Sequence, residues 1–299
     1  MKSFTKMKNI LFVGGDRRQI RAINETAKNG NLVSVLGFDS DIDSGFEENV
    51  QILGDLADIE ALYDAIILPL PYTVDGRTIN APFCKREIVI NEVFDGISKK
   101  NKIIAGRCDN KIKTMAESHR IMLIDYMCRE ELAMMNAIPT AEGAIQIAME
   151  ETPFTIHSSK CLVIGNGRIG KVLSKMLHGI GARVTVAARK KVDQAYGFAM
   201  GFETVAIDHL DDKIGEFDIV FNTAPSLIVD YSLLSKMKKG VLIIDLASKP
   251  GGVDFDEARR KGIKVVWALS LPGKVAPDTA GEIICNTIAN ILDETEGFE

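Results

Sequence analysis

The fold of this chain can be inferred from one segment, Cys161-Leu162-Val163-Ile164-Gly165-Asn166-Gly167-Arg168-Ile169-Gly170. It places a Gly-x-Gly-x-x-Gly motif directly after an apolar run and before a helical pattern, which is the context of a dinucleotide-binding loop. In such a loop the first glycine allows a tight turn, the second lets the backbone approach a pyrophosphate, and the third lets the helix pack on the strand. Amides at the helix start then bind the diphosphate. We therefore predict that a dinucleotide is bound by Gly165, Gly167, Arg168, Ile169 and Gly170.

The end of the next predicted strand, Ala187-Ala188-Arg189-Lys190-Lys191, indicates which dinucleotide is bound. An NAD enzyme has an acidic residue here to accept hydrogen bonds from the adenine ribose, but no acidic residue occurs from Lys171 through Lys191. A guanidinium instead matches the 2′-phosphate of NADP. A charge-assisted hydrogen bond to that phosphate is worth about 1.5 to 3 kcal/mol, or roughly 10- to 150-fold in affinity, which is enough to set a preference for NADP. We predict NADP as the cofactor, with Arg189 and Lys190 at its phosphate. A solvated surface position is the alternative for Lys190.

The chain alternates apolar runs with helical patterns from end to end, which predicts an α/β fold with parallel sheets. The second half has the six runs of a complete Rossmann sheet, at 161–164, 183–187, 204–207, 218–222, 241–246 and 264–268. The first half has about five, at 9–13, 32–37, 65–68, 102–105 and 121–124, with helices predicted over 17–28 and 86–98. We predict two Rossmann-like doubly wound domains.

Two long helical segments are expected to join these domains as hinge helices. The first, 130–152, is predicted as one helix or as a broken pair around Pro139. The second begins at Thr279-Ala280-Gly281-Glu282, which fits a capping box. We predict a substrate domain of residues 1–129 plus 279–299 and an NADP-binding Rossmann domain, with its linker helix, of residues 130–278. A cleft is expected between them.

Polar, turn-rich segments follow the last three strands of the second series. Ligands of open α/β sheets bind at the carboxyl ends of strands, and three such segments at successive strand ends favour a site over plain loops. We expect these segments to complete the cofactor site near the nicotinamide through Asn222, Thr223, Pro225, Ala247, Ser248, Leu271 and Pro272.

The first domain contains a comparable junction of strand and helix at Gly14-Gly15-Asp16-Arg17-Arg18-Gln19. Free amides and a guanidinium at such a junction can bind a carboxylate, so we predict substrate contact at Gly15 and Arg18. A vestigial nucleotide loop is the alternative, because the third glycine is missing. The segments Pro69 to Tyr72 and Gly106-Arg107-Cys108 also follow strands and are expected to border the same cleft.

Composition excludes several other classes of protein. With 36 basic and 41 acidic residues among 299, the net charge of -5 does not favour nucleic acid or an anionic membrane. No apolar stretch approaches the roughly 18 residues that a membrane span needs, and no signal-peptide core is present, so we expect a cytoplasmic protein. The five cysteines and four histidines lack the spacing of a disulfide framework or a metal site. We expect no metal.

Several stretches together resemble the A-subunit family of dipicolinate synthase from spore-forming bacteria. They lie in the expected order over nearly the whole chain, and the segments 136–143 and 271–281 are more specific than any dinucleotide motif. The matching stretches are 14–16 with 18–19, 66–69, 136–143, the glycine motif, 222–223 with 225–226, 245–248 with 250–252, and 271–273 with 275–277 and 279–281.

The resemblance implies an NADP-linked oxidation of a dihydrodipicolinate-type ring to dipicolinate, in a branch off lysine biosynthesis and in the mother cell of a sporulating bacterium. It also implies a small dicarboxylate substrate and a flavoprotein-like partner, the B subunit, and we expect self-association as well. Candidate donors to the two carboxylates are Arg18, Arg107, Lys249 and Lys274. No residue stands out as the catalytic base, for which Glu130 and Glu142 are the candidates. The Ala105 to Cys108 stretch does not match the family.

Two other functions remain open from the sequence. One is another two-domain NADP dehydrogenase of the shikimate or hydroxyacid type, although the lysine and aspartate pair of a shikimate-type enzyme is not found. The other is a catalytically silent dinucleotide-binding protein that activates or scaffolds its partner. The absence of an evident base keeps this second function open.

Overall fold

The computed structural model describes residues 6–39, 45–59 and 63–296, and the chain divides into two compact units. The first unit comprises Met1–Ala133 and Ala276–Glu299, and the second comprises Met134–Val275. The ends of the predicted first domain, residues 1 and 299, lie outside the described residues. Within the described ranges, no helix is long and apolar enough to cross a membrane.

The described residues form twelve strands, six in each unit. In the first unit they are β1 Asn9–Val13, β2 Leu32–Leu36, β3 Val50–Leu53, β4 Ala65–Ile67, β5 Lys102–Ala105 and β6 Met122–Asp125. In the second they are β7 Lys160–Ile164, β8 Arg183–Ala188, β9 Glu203–Ala206, β10 Ile219–Asn222, β11 Leu242–Asp245 and β12 Lys264–Trp267.

Ten α-helices connect the strands within the described part of the chain. They are α1 Arg17–Lys28, α2 Ile90–Gly96, α3 Asn110–His119, α4 Glu130–Glu151, α5 Arg168–Gly179, α6 Lys191–Ala199, α7 Tyr231–Lys236, α8 Phe255–Arg260, α9 Leu271–Val275 and α10 Pro277–Glu296. Short 3-10 helices occur at Leu56–Asp58, Tyr126–Cys128, Ile207–Asp212 and Ile214–Glu216.

Both sheets are fully parallel and have the same strand order. The first runs β3-β2-β1-β4-β5-β6, and the second, read from its other edge, runs β9-β8-β7-β10-β11-β12. This is the 3-2-1-4-5-6 order of the doubly wound dinucleotide-binding fold, which confirms the predicted fold class. In that order the first and fourth strands of each sheet lie side by side, and the loops after them flank the point where the strand order reverses. These loops are residues 14–16 and 68–72 in the first unit, and residues 165–167 and 223–226 in the second.

The prediction of about five strands in the first half is wrong, because β3 is a sixth. Its sequence Val50-Gln51-Ile52-Leu53 lies at the sheet edge, and Gln51 and Ile52 are exposed. An edge strand buries only part of one face, so it lacks the continuous apolar run by which buried parallel strands are recognised.

Two predicted helices have different boundaries in the structure, and the alternatives left open for a third are decided. The helix predicted over 86–98 is shorter, Ile90–Gly96. The last helix begins at Pro277 rather than at the Thr279 capping box, because proline fits the first helical position, where no amide partner is needed. The α4 helix is continuous through Pro139, where the Thr140 hydroxyl donates to the Asn136 carbonyl at 2.7 Å.

Each sheet is covered by helices on both faces, which leaves the central strands fully buried. In the first unit α10 packs against α1, and Ile283, Ile284 and Ile288 of α10 enter the same apolar cluster as Phe12 and Ile23. In the second unit, the small residues of α4 and the apolar side of α5 cover one face, while α7 and α8 cover the other. These cores hold the strand ends, and the loops after them, in place.

Candidate functional site

The three glycines of the 165–170 loop have distinct surroundings. Gly165 has φ +97°, and a Cβ there would lie 2.5 Å from the Thr223 hydroxyl. A Cβ on Gly170 would lie 2.0 Å from the Gly165 carbonyl oxygen, whereas a Cβ on Gly167 would have no atom within 4 Å. Gly165 and Gly170 are therefore required by the protein itself. Gly167, at the start of α5, leaves space that a pyrophosphate can use.

Backbone hydrogen bonds fix this loop to its neighbours. The Gly165 amide donates to the Ala187 carbonyl at 2.8 Å, and the Thr223 amide donates to the Ile164 carbonyl at 2.9 Å. The Thr223 hydroxyl also donates to the Ile164 carbonyl, at 2.9 Å. Gly167 is the N-cap residue of α5 and supplies no side-chain cap, so the start of this helix is left without that acceptor. The geometry fits an anion at the amides of Arg168 and Ile169.

The strand end after β8 presents two cations. Arg189 and Lys190 are exposed and form the whole connection between β8 and α6. In the part of the chain that the structure describes, neither side chain makes a hydrogen bond or an ion pair. The next acidic residue is Asp193, in the first turn of α6. The arrangement leaves a guanidinium and an ammonium available for an anion at the position where the second strand of the fold meets the adenine ribose.

Asn222 and Asp245, at the ends of β10 and β11, are fully buried and hydrogen-bonded to each other. The side-chain amide of Asn222 donates from Nδ2 to Asp245 Oδ1 at 2.8 Å and to the Ala224 carbonyl at 3.0 Å. Asp245 also accepts the amides of Ala247 at 3.0 Å and Gly252 at 2.9 Å. Asn222 therefore shapes the two loops, and its side chain is already occupied within the protein. Sequence reasoning assigned Asn222 to the site but gave Asp245, inside the predicted strand 241–246, no role.

The remaining predicted residues of the second unit have different surroundings. Thr223 and Pro225 follow β10, and Pro225, Ser248, Lys249 and Lys274 are exposed. Ala247 is buried, and its carbonyl accepts the indole N–H of Trp267 at 3.0 Å. The segment expected as a loop after β12 is the short helix α9, in which Leu271 is buried and Pro272 is half-buried. Leu271 packs against Gly143 of α4, so its side chain belongs to the core.

In the first unit the structure contradicts the expectation of free amides at Gly15 and Arg18. The Gly15 amide donates to the Asn80 carbonyl at 2.9 Å, and the Arg18 amide donates to Asp16, the N-cap residue of α1, at 3.0 Å. The Arg18 guanidinium contacts the same carboxylate, at 2.6 Å, and the Leu70 carbonyl. The sequence could not show the contacts with Asn80 and Leu70, which come from a distant loop, whereas Asp16 is a local N-cap two positions from Arg18. Arg18 thus has a carboxylate partner of its own in Asp16, a residue that sequence reasoning left unassigned.

The loop after β5 is held by Asp125 at the end of β6. The Asp125 carboxylate accepts the amides of Arg107, at 3.1 Å, and Cys108, at 2.8 Å. Arg107 has φ +66° and an exposed side chain. Burial raises the pKa of the Cys108 thiol to about 12, with a further contribution from Asp125. This cysteine is therefore a protonated packing residue, and the exposed cation that this loop presents is Arg107.

The two candidate bases both lie on α4. Glu130 begins the helix and is exposed. Glu142 is exposed beside a shallow surface groove with Ile145 and Met149. Position on the helix by itself marks neither carboxylate as a proton acceptor, and their assignment stays a prediction.

Two different family models match the two parts of the chain. Residues 9–127 match the family model of the N-terminal domain of the dipicolinate synthase A subunit, and residues 126–252 match the NAD-binding domain of D-isomer specific 2-hydroxyacid dehydrogenases. The A subunit of dipicolinate synthase from Bacillus subtilis (strain 168) is 34% identical over 291 residues, which cover 97% of each chain. This chain belongs to the A-subunit family of dipicolinate synthase.

Solved structures from the same family have the same fold as this chain, and so does a protein with a different name. The crystal structure of the dipicolinate synthase A chain from Bacillus subtilis superposes with a TM-score of 0.90 at 33% identity, covering 99% of both chains. The transhydrogenase from Sinorhizobium meliloti is 17% identical with a TM-score of 0.72, covering 96% of this chain and 94% of its own, and shares the fold. The resemblance found in the sequence is confirmed, and the second unit is a nicotinamide dinucleotide-binding domain of the dehydrogenase type.

Proposed function

We propose that this chain is an NADP-dependent oxidoreductase that converts a dihydrodipicolinate-type ring to dipicolinate. The observation that carries the proposal is the pairing of a glycine loop that has room for a pyrophosphate with a strand end that presents Arg189 and Lys190. Family membership supports the ring substrate. The matched domain model is described as NAD-binding, so the choice of NADP rests on the two cations.

The residues present fit such a cofactor. The amides of Arg168 and Ile169 would hold the diphosphate, Gly167 would leave it room, and Arg189 with Lys190 would hold the 2′-phosphate. Bound there, NADP would supply the hydride acceptor. Asn222 would act on the cofactor only indirectly, through the shape of the loop that contains Thr223 and Pro225.

The oxidation removes two hydrogens from the ring, one as hydride and one as a proton, and the gain of aromaticity drives it. The protein must hold two carboxylates and accept one proton. We propose Arg18, Arg107, Lys249 and Lys274 as the candidate cations for holding the carboxylates. Glu130 and Glu142 are the candidate proton acceptors.

A partner follows from the same family membership, since the relatives are named as one subunit of a synthase. We propose that a flavoprotein-like B subunit binds this chain and that both act in the mother cell of a sporulating bacterium. Co-purification tests the interaction, with an affinity tag on this chain and an untagged B subunit. We expect the two to elute together, and a B subunit that passes through the affinity column unretained would contradict the proposal.

The activity is tested by mixing the purified chain with NADP and a dihydrodipicolinate mixture and following NADPH absorbance, with and without the B subunit. We expect NADPH and dipicolinate to form in equal amounts. The Gly167→Val chain mixed with the same B subunit is the control. If NADPH forms equally well with that control, the chain is a silent scaffold rather than the enzyme.

Cofactor choice is tested separately by calorimetric titration with NADP and NAD. Arg189→Ala should weaken NADP binding roughly 10- to 150-fold and leave NAD binding unchanged, because only NADP carries the phosphate. Arg183→Ala is the matched control, since Arg183 is an exposed arginine at the other end of the same strand. Equal affinity of the wild-type chain for both cofactors would contradict the proposal.

A further inference from the structure

Two side-chain amides hold the connection between β8 and α6 in the second unit. Gln194 lies on α6, and its Nε2 donates at 2.8 Å to the carbonyl of Ala188, which is the last residue of β8. The Asn166 side chain donates from Nδ2 to the Asp193 carbonyl at 2.8 Å, and Asn166 is only 6% exposed. Both hydrogen bonds are partly shielded from water, so each constrains the backbone that it joins.

Backbone hydrogen bonds hold the helix end of this connection, where the Lys190 carbonyl accepts the amides of Asp193, at 3.0 Å, and Gln194, at 3.1 Å. The connection consists of Arg189 and Lys190 alone, and Lys190, the N-cap residue of α6, makes no side-chain cap hydrogen bond. A helix start without a cap frays readily, because several of its amides lack partners. Gln194 closes the connection from the helix side, since its amide reaches back past both cations to the strand end. The backbone of Arg189 and Lys190 is thereby held in one place.

Asn166 adds a link between two parts of the proposed cofactor site. It stands between Gly165 and Gly167 in the dinucleotide loop, yet its side chain points to the first turn of α6. The glycine loop, α6 and the end of β8 are therefore joined in a chain of hydrogen bonds. Displacement of α6 would move the two cations relative to the loop that binds the diphosphate.

We propose that Gln194 is the positioning residue for selection of NADP over NAD, and that Asn166 couples its helix to the diphosphate loop. The inference rests on the proposed use of NADP. A long, flexible arginine loses rotamer freedom when it binds a phosphate, so a fixed backbone lowers the cost of that contact. NAD has no 2′-phosphate, so the fixed backbone of Arg189 and Lys190 adds little to its affinity.

The experiment compares the wild-type chain with Gln194→Met, which keeps the length of the side chain and removes its donor. Calorimetry would measure affinity for NADP and NAD, and for the fragments adenosine 2′,5′-bisphosphate and 5′-AMP. We expect the variant to lose about 2- to 10-fold in affinity for both ligands that carry a 2′-phosphate, the effect of one net hydrogen bond, and to bind NAD and 5′-AMP as the wild type does. Asn166→Ala should reduce affinity for NADP more than for NAD.

The matched control is Gln146→Met, a glutamine on the exposed side of α4 in the same unit, whose amide pairs with Glu150. It should change neither affinity. If Gln194→Met does not fold, Gln194→Leu removes the same donor without adding a charge and replaces it in the comparison. The role of Gln194 would be overturned if the folded variant keeps the wild-type ratio of NADP to NAD affinity. This includes the case in which both affinities fall by the same factor. A wild-type chain without preference for NADP would overturn both this role and the proposed cofactor.

Discussion

At the scale of single residues, the glycine loop distinguishes positions that the protein needs from a position that a ligand needs. A side chain at Gly170 would overlap the Gly165 carbonyl, but one at Gly167 would meet no atom within 4 Å. Gly167→Val should therefore leave the fold intact and abolish dinucleotide binding, because it fills the space for the pyrophosphate. In the wild type, NADP at 100 times its dissociation constant should raise the free energy of unfolding by about 2.7 kcal/mol. The variant should show no such increase.

Gly179→Val is the control for this variant. Gly179 ends the same helix, α5, and a Cβ there would also meet no atom within 4 Å. It should keep the stabilisation by NADP in thermal and urea unfolding. If Gly167→Val is still stabilised by NADP, the loop is not where the dinucleotide binds.

Arg18, the predicted partner of a substrate carboxylate, is already paired with a carboxylate of the protein. It is bound to Asp16 within its own turn, so a substrate carboxylate must share or replace that partner. Arg18→Ala should still lower kcat/KM for the ring substrate, roughly 10- to 150-fold, without changing NADP affinity. Steady-state kinetics with the B subunit present measures it. The control is Arg17→Ala, at the neighbouring exposed arginine. If Arg18→Ala keeps the wild-type kcat/KM, Arg18 does not bind the substrate carboxylate, and Arg107, Lys249 or Lys274 is the next candidate.

At the scale of elements, the first unit depends on close contact between helices from its two ends. A Cβ on Gly281 of α10 would lie 2.4 Å from the Arg18 carbonyl oxygen and 2.6 Å from Arg21 Cβ of α1. The carbonyl belongs to helical backbone, which cannot yield as a side chain does. Gly281→Ala should therefore force α1 and α10 apart and lower the free energy of unfolding by about 1 to 3 kcal/mol in urea titration. Gly96→Ala at the end of α2, where a Cβ meets nothing within 4 Å, should stay near the wild-type value.

At the scale of the whole molecule, the two units differ in how the chain builds them. The second unit is one continuous segment, Met134–Val275, with its own sheet and apolar clusters on both faces. The first needs segments from both ends, since α10 completes its core. We expect a fragment of residues 134–275 to fold and to bind NADP within a few-fold of the full chain, but not to oxidise the ring. Calorimetry on the fragment measures the binding. A fragment that folds yet binds no NADP would contradict this prediction.

Much of the fold could be predicted from the sequence because buried parallel strands are continuous apolar runs. All six strands of the second unit were predicted within two residues of their observed ends, and the glycine motif identified the loop after β7. The edge strand β3 could not be recognised, because a half-exposed strand resembles a loop. The start of α10 was misplaced, because Pro277 and the Thr279 capping box are both plausible helix starts in the sequence.

The class of fold, the dinucleotide loop and the two cations after β8 can be inferred from the sequence, since each is a local pattern of neighbouring residues. The tertiary structure is needed to show which polar groups are already occupied. Asn222 is bound to Asp245, Arg18 to Asp16 and the Leu70 carbonyl, and Gln194 to the end of β8. Partners such as Asn166 and Asp193 are 27 positions apart, and a hydrogen bond forms between them only because sheet and helix packing brings the two within about 3 Å.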